Sequence, residues 1–341
     1  MKSLIYISII FCIIACQKVG NEELNPSAQA EALLNIPEGF PEMLFPKGNE
    51  LTAERWELGK RLFYDKALSI DKSISCGSCH KPALAFADDR QFSDGAFNRP
   101  GTRNAPSLAN VGYQPYLLRE GSVSTLEMQV LVPIQEHNEF NHNIVDIAKE
   151  LQKDSTYVIM SLQAYNRVPD AFVITRAISN FQRTILSGNS NYDKYINQGV
   201  RSALNTTERR GMTLFFSSQT NCSSCHGGFN FSNYSFENNG LDSVYTDNGR
   251  LRFTNDSADE ALFKVPSLRN VGLTAPYMHD GRFSSLKEVV NHYNSGGKNH
   301  RNKSALIQAL SLTDNEKSEL VAFLYSLTDY EFVNDLKWNE N

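Results

Sequence analysis

Two Cys-x-x-Cys-His runs mark this chain, Cys76-Gly-Ser-Cys79-His80 and Cys222-Ser-Ser-Cys225-His226. Their spacing suits covalent attachment of c-type haem. Two thiols so placed reach the two vinyl groups of one haem, and the His that follows lands beneath the iron as an axial ligand. A lone Cys-x-x-Cys also fits half of a zinc site or a thioredoxin-like redox pair. A zinc site needs two further ligands at similar spacing, and no second Cys pair lies near either run. The chain has 6 Cys, and the other two, Cys12 and Cys16, sit in the leader. The His after each run therefore favours haem, and two haems in one chain mean redox chemistry.

The leader agrees with that chemistry. Met1-Lys2 is followed by the apolar run Leu4 to Ala15, too short to stay in a bilayer as a spanning helix. It reads as a secretory signal over residues 1–15. Ile13-Ile14-Ala15-Cys16 resembles a bacterial lipobox, with Cys16 as the lipid-bearing first residue; an ordinary cleaved signal is the alternative. Either way the chain leaves the cytoplasm for the periplasm, where bacterial c-type haem is attached. Residues 16–47, rich in Asn, Glu, Pro and Ala, read as a tether or extended N-terminal arm. The net charge is -5, and no basic run points to nucleic acid. No apolar stretch after the leader is long enough to span a membrane, so a lipid anchor is the membrane contact expected.

The elements that must hold these motifs come as an internal duplication. Gly59-x-x-Leu62-Phe63 recurs as Gly211-x-x-Leu214-Phe215 before each haem run. Pro106-Ser107-Leu108-Ala109-Asn110-Val111-Gly112 recurs afterwards as Pro266-Ser267-Leu268-Arg269-Asn270-Val271-Gly272. The register then continues without a gap through Gly121 and Gly281, Leu126 and Leu286, Val130 and Val290. About 325 residues follow the leader, enough for two domains. The expected cuts are 48–188 for an N-terminal haem domain and 189–341 for a C-terminal one. The fold class expected is all-α: two tandem cytochrome c-like domains with long loops. Thr313-x-x-Glu316 is a capping box leading into Leu320, Phe323, Leu324 and Leu327 at helical spacing. Ile178, Phe181, Gln182 and Ile185 form a second helical stripe, read as core. Ser284 to Tyr293 reads as a helix stopped by Asn294-Ser295-Gly296-Gly297.

The Cys-x-x-Cys-His supplies the proximal side of each haem, so the later block must supply the distal side. There the two repeats differ. Gln129 and Pro133 stand in the first where Val289 and Tyr293 stand in the second. Proline cannot ligate iron, whereas a tyrosine phenolate can.

Leu58-Gly59-Lys60-Arg61-Leu62-Phe63-Tyr64-Asp65, Gly101-Thr102-Arg103-Asn104-Ala105-Pro106, Lys264-Val265-Pro266-Ser267-Leu268-Arg269-Asn270-Val271 and Leu273-Thr274-Ala275-Pro276-Tyr277-Met278-His279-Asp280-Gly281 complete the pattern. Together with the haem runs they resemble the bacterial di-haem cytochrome c peroxidases and the related MauG-type enzymes, over about residues 48 to 330. The resemblance implies a peroxidatic haem on His80, with Gln129, Pro133 and Glu139 on its distal side. Splitting a peroxide O–O bond requires a proton to move between its oxygens, which is work for a carboxylate such as Glu139. The second haem, on His226, would carry electrons. The resemblance also implies a Ca²⁺ between the domains, with Asn104 as side-chain ligand and Thr274 and Pro276 offering backbone carbonyls.

The sequence departs from those peroxidases at three positions. Their distal His before the Arg-Asn-x-Pro motif falls at Ala96, so the His80 haem is expected to be open at rest. Their Met ligand of the second haem falls at Tyr293, as in the MauG-type enzymes, with Met278 and then His292 as alternatives. A phenolate lowers a haem potential and a Met raises it. The Trp between the haems falls at Arg119, which leaves Tyr116, Tyr113 or the haem edges as electron routes. The expected function is a periplasmic di-haem peroxidase that reduces hydrogen peroxide with electrons from a small cytochrome or cupredoxin. The alternatives are a MauG-like oxidase of a partner protein and a non-enzymatic electron carrier.

Overall fold

The helices of the two repeats cross in the same way, and glycine is the reason. Ala53–Tyr64 crosses Ala171–Arg183, and Thr206–Phe215 crosses Asp314–Tyr325. In the computed structural model, which describes residues 26–340, a Cβ on Gly59 would lie 2.0 Å from the Ala177 carbonyl oxygen. A Cβ on Gly211 would lie 1.9 Å from that of Glu319. Only a residue without a side chain lets these backbones touch. Side-chain caps start all four helices. Thr52 and Asp170 accept from the first turns of the first pair, and the boxes Asn205/Glu208 and Thr313/Glu316 start the second pair. Ile178, Phe181 and Gln182 lie buried on Ala171–Arg183, and Ile185 is buried just past its end.

Short helices Cys76–Cys79 and Cys222–Cys225 present the two motifs. The matching distal blocks also fold alike. Asn110 and Asn270 both take left-handed backbone, with φ of 60° and 59°, ahead of the turns Val111–Tyr113 and Val271–Leu273. Isolated bridges follow at Leu117 with Val123 and at Tyr277 with Phe283. The repeats then diverge. The second runs as one helix, Leu286–Asn294, capped by Ser285 and Glu288. The first is split into Leu126–Gln129 and Leu131–Gln135, because Pro133 has no N–H to give the Gln129 carbonyl. The one sheet among the described residues pairs Phe236–Glu237 with Phe263–Lys264.

Buried apolar side chains form two clusters, one around Phe63, Phe86 and Phe181, the other around Phe215, Phe231 and Phe323. The C-terminal tail returns to the first cluster, where Phe332 and Trp338 are buried. The segment from Phe40 runs as an arm across the seam. Phe40 meets the rings of Tyr113 and Phe229, and the Tyr113 hydroxyl donates to the Pro41 carbonyl at 2.8 Å. Beneath it the repeated asparagines converge. Asn110 Nδ2 donates to the Ser187 carbonyl at 2.8 Å, and Asn270 Nδ2 to Ser187 Oγ at 2.9 Å. No helix among the described residues is long and apolar enough to cross a membrane. The expected leader and Cys16 lie outside the described residues.

Candidate active site

One continuous cavity of about 1010 Å³ runs past both motifs. Cys76, Cys79 and His80 line one end, and Cys222, Cys225 and His226 the other. Each histidine is fixed in one tautomer. His80 Nδ1 lies 2.8 Å from the Phe86 carbonyl oxygen. His226 Nδ1 lies 3.2 Å from that of Phe231 and 3.1 Å from that of Pro266. A carbonyl only accepts, so Nδ1 carries the proton and Nε2 keeps a lone pair for a metal. Burial lowers both imidazole pKa values, which favours the same neutral form.

The thiols do not suit the two alternatives. A thioredoxin-like pair needs a depressed thiol pKa, whereas burial pushes Cys76 up to about 12 and Cys79 and Cys225 up to about 11. Among the described residues no group of three or more His, Cys, Asp or Glu is placed to hold a metal ion alone. Paired thiols, a pre-set imidazole and a large, mostly apolar cavity at each end do fit haem c.

At the His80 end the walls include Gln129, Pro133 and Glu139. Glu139 keeps an exposed surface and lines this cavity, and the protein around it desolvates its carboxyl. That burial, with a smaller push from Glu136, raises its carboxyl pKa to about 7. Ala96 is buried, and its N–H donates to the Glu139 carbonyl at 2.8 Å. A Cβ on the neighbouring Gly95 would lie 2.1 Å from the Asn138 carbonyl oxygen. The two loops are thus pinned together, with Asp94 and Gly95 on the cavity wall. The lining histidines are His80, His226 and His279, and the ring of His279 stacks on Phe263 at 4.1 Å.

At the His226 end Val289 and Tyr293 take the equivalent places, beside Met278. The Asn239 side-chain amide lies 3.5 Å from Tyr293 Oη and 3.4 Å from Met278 Sδ, so both candidate ligands converge on one point. His292 is not on the wall, and its Nε2 lies 3.0 Å from the Asn239 carbonyl oxygen. It leaves the set of alternatives. Gln182 is an addition. Read as a core residue, it lines the cavity, and its buried Oε1 has no hydrogen-bond partner. Its being the one polar member of an apolar stripe was the available signal.

Comparison with known proteins places this geometry. Residues 53–201 match the model of the family described as di-haem cytochrome c peroxidase. The methylamine utilization protein MauG of Methylorubrum extorquens is 32% identical over 325 residues, 93% of this chain and 90% of that protein. The cytochrome-c peroxidase IdrP1 of a Pseudomonas species is 35% identical over 85% of this chain and 84% of its own. Among solved structures, a MauG-like protein associated with microbial copper homeostasis superposes with a TM-score of 0.85 at 33% identity, over 89% of this chain and 98% of that one. The chain belongs to the di-haem cytochrome c peroxidase family. It is therefore an oxidoreductase acting on peroxide, and haem c is the cofactor that membership implies.

Arg119 stands at the position expected for the Trp between the haems. Arg119 Nε and Nη2 donate to the Asn104 carbonyl at 3.2 and 2.6 Å, and Nη2 also reaches Asn104 Oδ1 at 3.3 Å. Burial lowers the guanidinium pKa to about 10, which leaves it charged at neutral pH. Thr274 and Pro276 line the cavity with Asn104, but the Asn104 oxygens already serve Arg119. The side-chain oxygen expected to bind Ca²⁺ is therefore already hydrogen-bonded. Neither tyrosine suggested as an electron route lines the cavity. Tyr113 is packed between Phe40 and Phe229, and Tyr116 is half-exposed against Phe236.

Proposed function

We propose that the protein is a periplasmic di-haem peroxidase that reduces hydrogen peroxide to water with electrons from a small cytochrome or cupredoxin. The observation that carries this reading is the asymmetry of the cavity. Glu139 and Gln129 face the His80 end with no second histidine, while Tyr293 and Met278 face the His226 end. Haem c at the two sites would supply iron to bind peroxide and to hold electrons. Glu139, with its pKa near neutrality, takes a proton from one peroxide oxygen and returns it to the other. The Gln129 amide holds peroxide or water beside it. Pro133 offers neither donor nor ligand and keeps that face open. Two electrons and two protons convert one hydrogen peroxide into two waters. Cys16 would carry a lipid that tethers the enzyme to a membrane, and residues 48–188 and 189–341 would divide the peroxidatic and electron-carrying roles.

Tyr293 at the position of the MauG-type ligand favours a second reading, oxidation of a partner protein. Steady peroxide turnover with a reduced cytochrome, without prior reduction of the enzyme, is expected for the peroxidase. No turnover, together with a long-lived two-electron oxidised state, selects the oxidase. Glu139→Gln should slow peroxide consumption by about 100-fold or more, the usual worth of a positioned acid–base group. Both haems should remain attached by haemochrome assay. The wild-type rate should rise with pH through about 7, because the carboxylate is the proton acceptor, and the variant should lose this step. An unchanged rate and profile would remove Glu139 from the reaction.

A further inference from the structure

Asn104 offers two oxygens to the space between the repeats, its carbonyl and its Oδ1. Both accept hydrogen bonds from Arg119. We propose that the Arg119 guanidinium replaces the Ca²⁺ that the family resemblance puts at Asn104, Thr274 and Pro276, so that this protein joins its two halves without a metal.

The guanidinium's hydrogen bonds go to Asn104 within its own repeat, and the two residues reach the second repeat through their backbones. The Arg119 carbonyl accepts from the Lys264 N–H at 2.7 Å, and the Asn104 N–H donates to the His279 carbonyl at 2.9 Å. Arg119 and Asn104 of the first repeat are thereby bonded to each other and to the second. A Ca²⁺ bound by Asn104 would sit about 2.3–2.6 Å from Oδ1. Arg119 Nη2 is 3.3 Å from that same oxygen. A Ca²⁺ and the guanidinium would then share one amide oxygen and repel each other.

The surrounding charges also disfavour a divalent ion. The carboxylates nearby are already engaged. Arg103 holds Asp247 through Nε at 2.6 Å and Nη2 at 2.9 Å, and it also pairs with Glu120. Arg282 holds Asp280 at 2.7 Å. Lys264 Nζ donates to Gln114 Oε1 at 2.5 Å and to the Tyr116 carbonyl at 2.6 Å, and burial, with the charge of Arg119 beside it, lowers its pKa to about 7. Calcium recruits oxygens that are free and, on balance, negative; here the carboxylates are held by Arg103 and Arg282. The residue that supplies the guanidinium stands where the resemblance expects the Trp between the haems. One substitution thus removes the ring and provides the charge.

The test uses the purified holoprotein. After dialysis in metal-free buffer, calcium is counted by mass spectrometry, CaCl₂ is titrated calorimetrically, and resting EPR spectra are recorded with and without EGTA. The expected result is substoichiometric calcium, no binding heat and unchanged haem signals. Arg119→Gln, which keeps the ring of neighbours but loses the charge, should gain one Ca²⁺ per chain, whereas Arg119→Lys should remain calcium-free. Stoichiometric calcium in the wild type, or EGTA-sensitive signals restored by CaCl₂, overturns the proposal even if neither variant folds. So does a folded Arg119→Gln that binds none.

Discussion

At the scale of single residues, the molecule uses one scaffold to give its two Cys-x-x-Cys-His motifs different surroundings. His80 and His226 are held alike through Nδ1, so the difference lies opposite them. Pro133 and Tyr293 occupy equivalent positions and could hardly differ more as ligands. The Asn239 amide between Tyr293 Oη and Met278 Sδ leaves both within reach of the His226 site. We expect Tyr293→Phe to change the low-spin signal of that haem alone in EPR. Met278→Leu should leave it intact. The reverse pattern would make Met278 the ligand and imply a higher potential, since thioether raises and phenolate lowers it.

At the scale of elements, the glycine-mediated helix crossing sets where each Cys-x-x-Cys-His helix can stand. Gly59 packs against the Ala177 carbonyl, and Gly211 against that of Glu319. Neither has the positive φ that would demand glycine for backbone reasons, so space alone is the constraint. Gly211→Ala should force the helices apart at a cost of about 1–3 kcal/mol, the range for overpacking. Denaturant unfolding followed by circular dichroism measures it. A midpoint equal to wild type would mean that the crossing relaxes freely. The cost should appear with haem still attached, because the Cys222–Cys225 helix lies outside the clash.

At the scale of the whole molecule, the chain's last turn supports its first haem site. Trp338 is buried against Phe86, with ring centroids 5.7 Å apart, and the Phe86 carbonyl is the acceptor for His80 Nδ1. Trp338→Ala should cost about 3–5 kcal/mol, as large-to-small changes in cores do. In the holoprotein it should perturb the His80 haem signal more than the His226 signal. Equal perturbation of both would place the tail's influence in the seam instead. That seam is itself long-range. The buried Asp329 carboxylate accepts from Ser187 Oγ, Gly188 N and Asn189 N at 2.9 to 3.1 Å, while its own N–H donates to Asn270 Oδ1.

Much was legible before any coordinates. The Cys and His spacing, the duplicated blocks and the capping box at Thr313 are local patterns, and local geometry dictates them. The register between repeats also brought Gln129 and Pro133 to the same wall, because a duplication carries three-dimensional information in one dimension, whereas Glu139 came from the family resemblance. Contacts between segments far apart in sequence carried no such mark. Nothing in Trp338 announces a place in the first hydrophobic cluster. The position of Arg119 showed that a Trp was missing, but not that its guanidinium would take both oxygens of Asn104. The rise in the Glu139 pKa depends on what encloses the side chain, and His292 was separable from Tyr293 only by the direction each side chain takes from one helix. Residue type and spacing determined which chemistry is available to this protein. Packing, burial and the pairing of distant polar groups decided which atoms face the cavity and in what charge state.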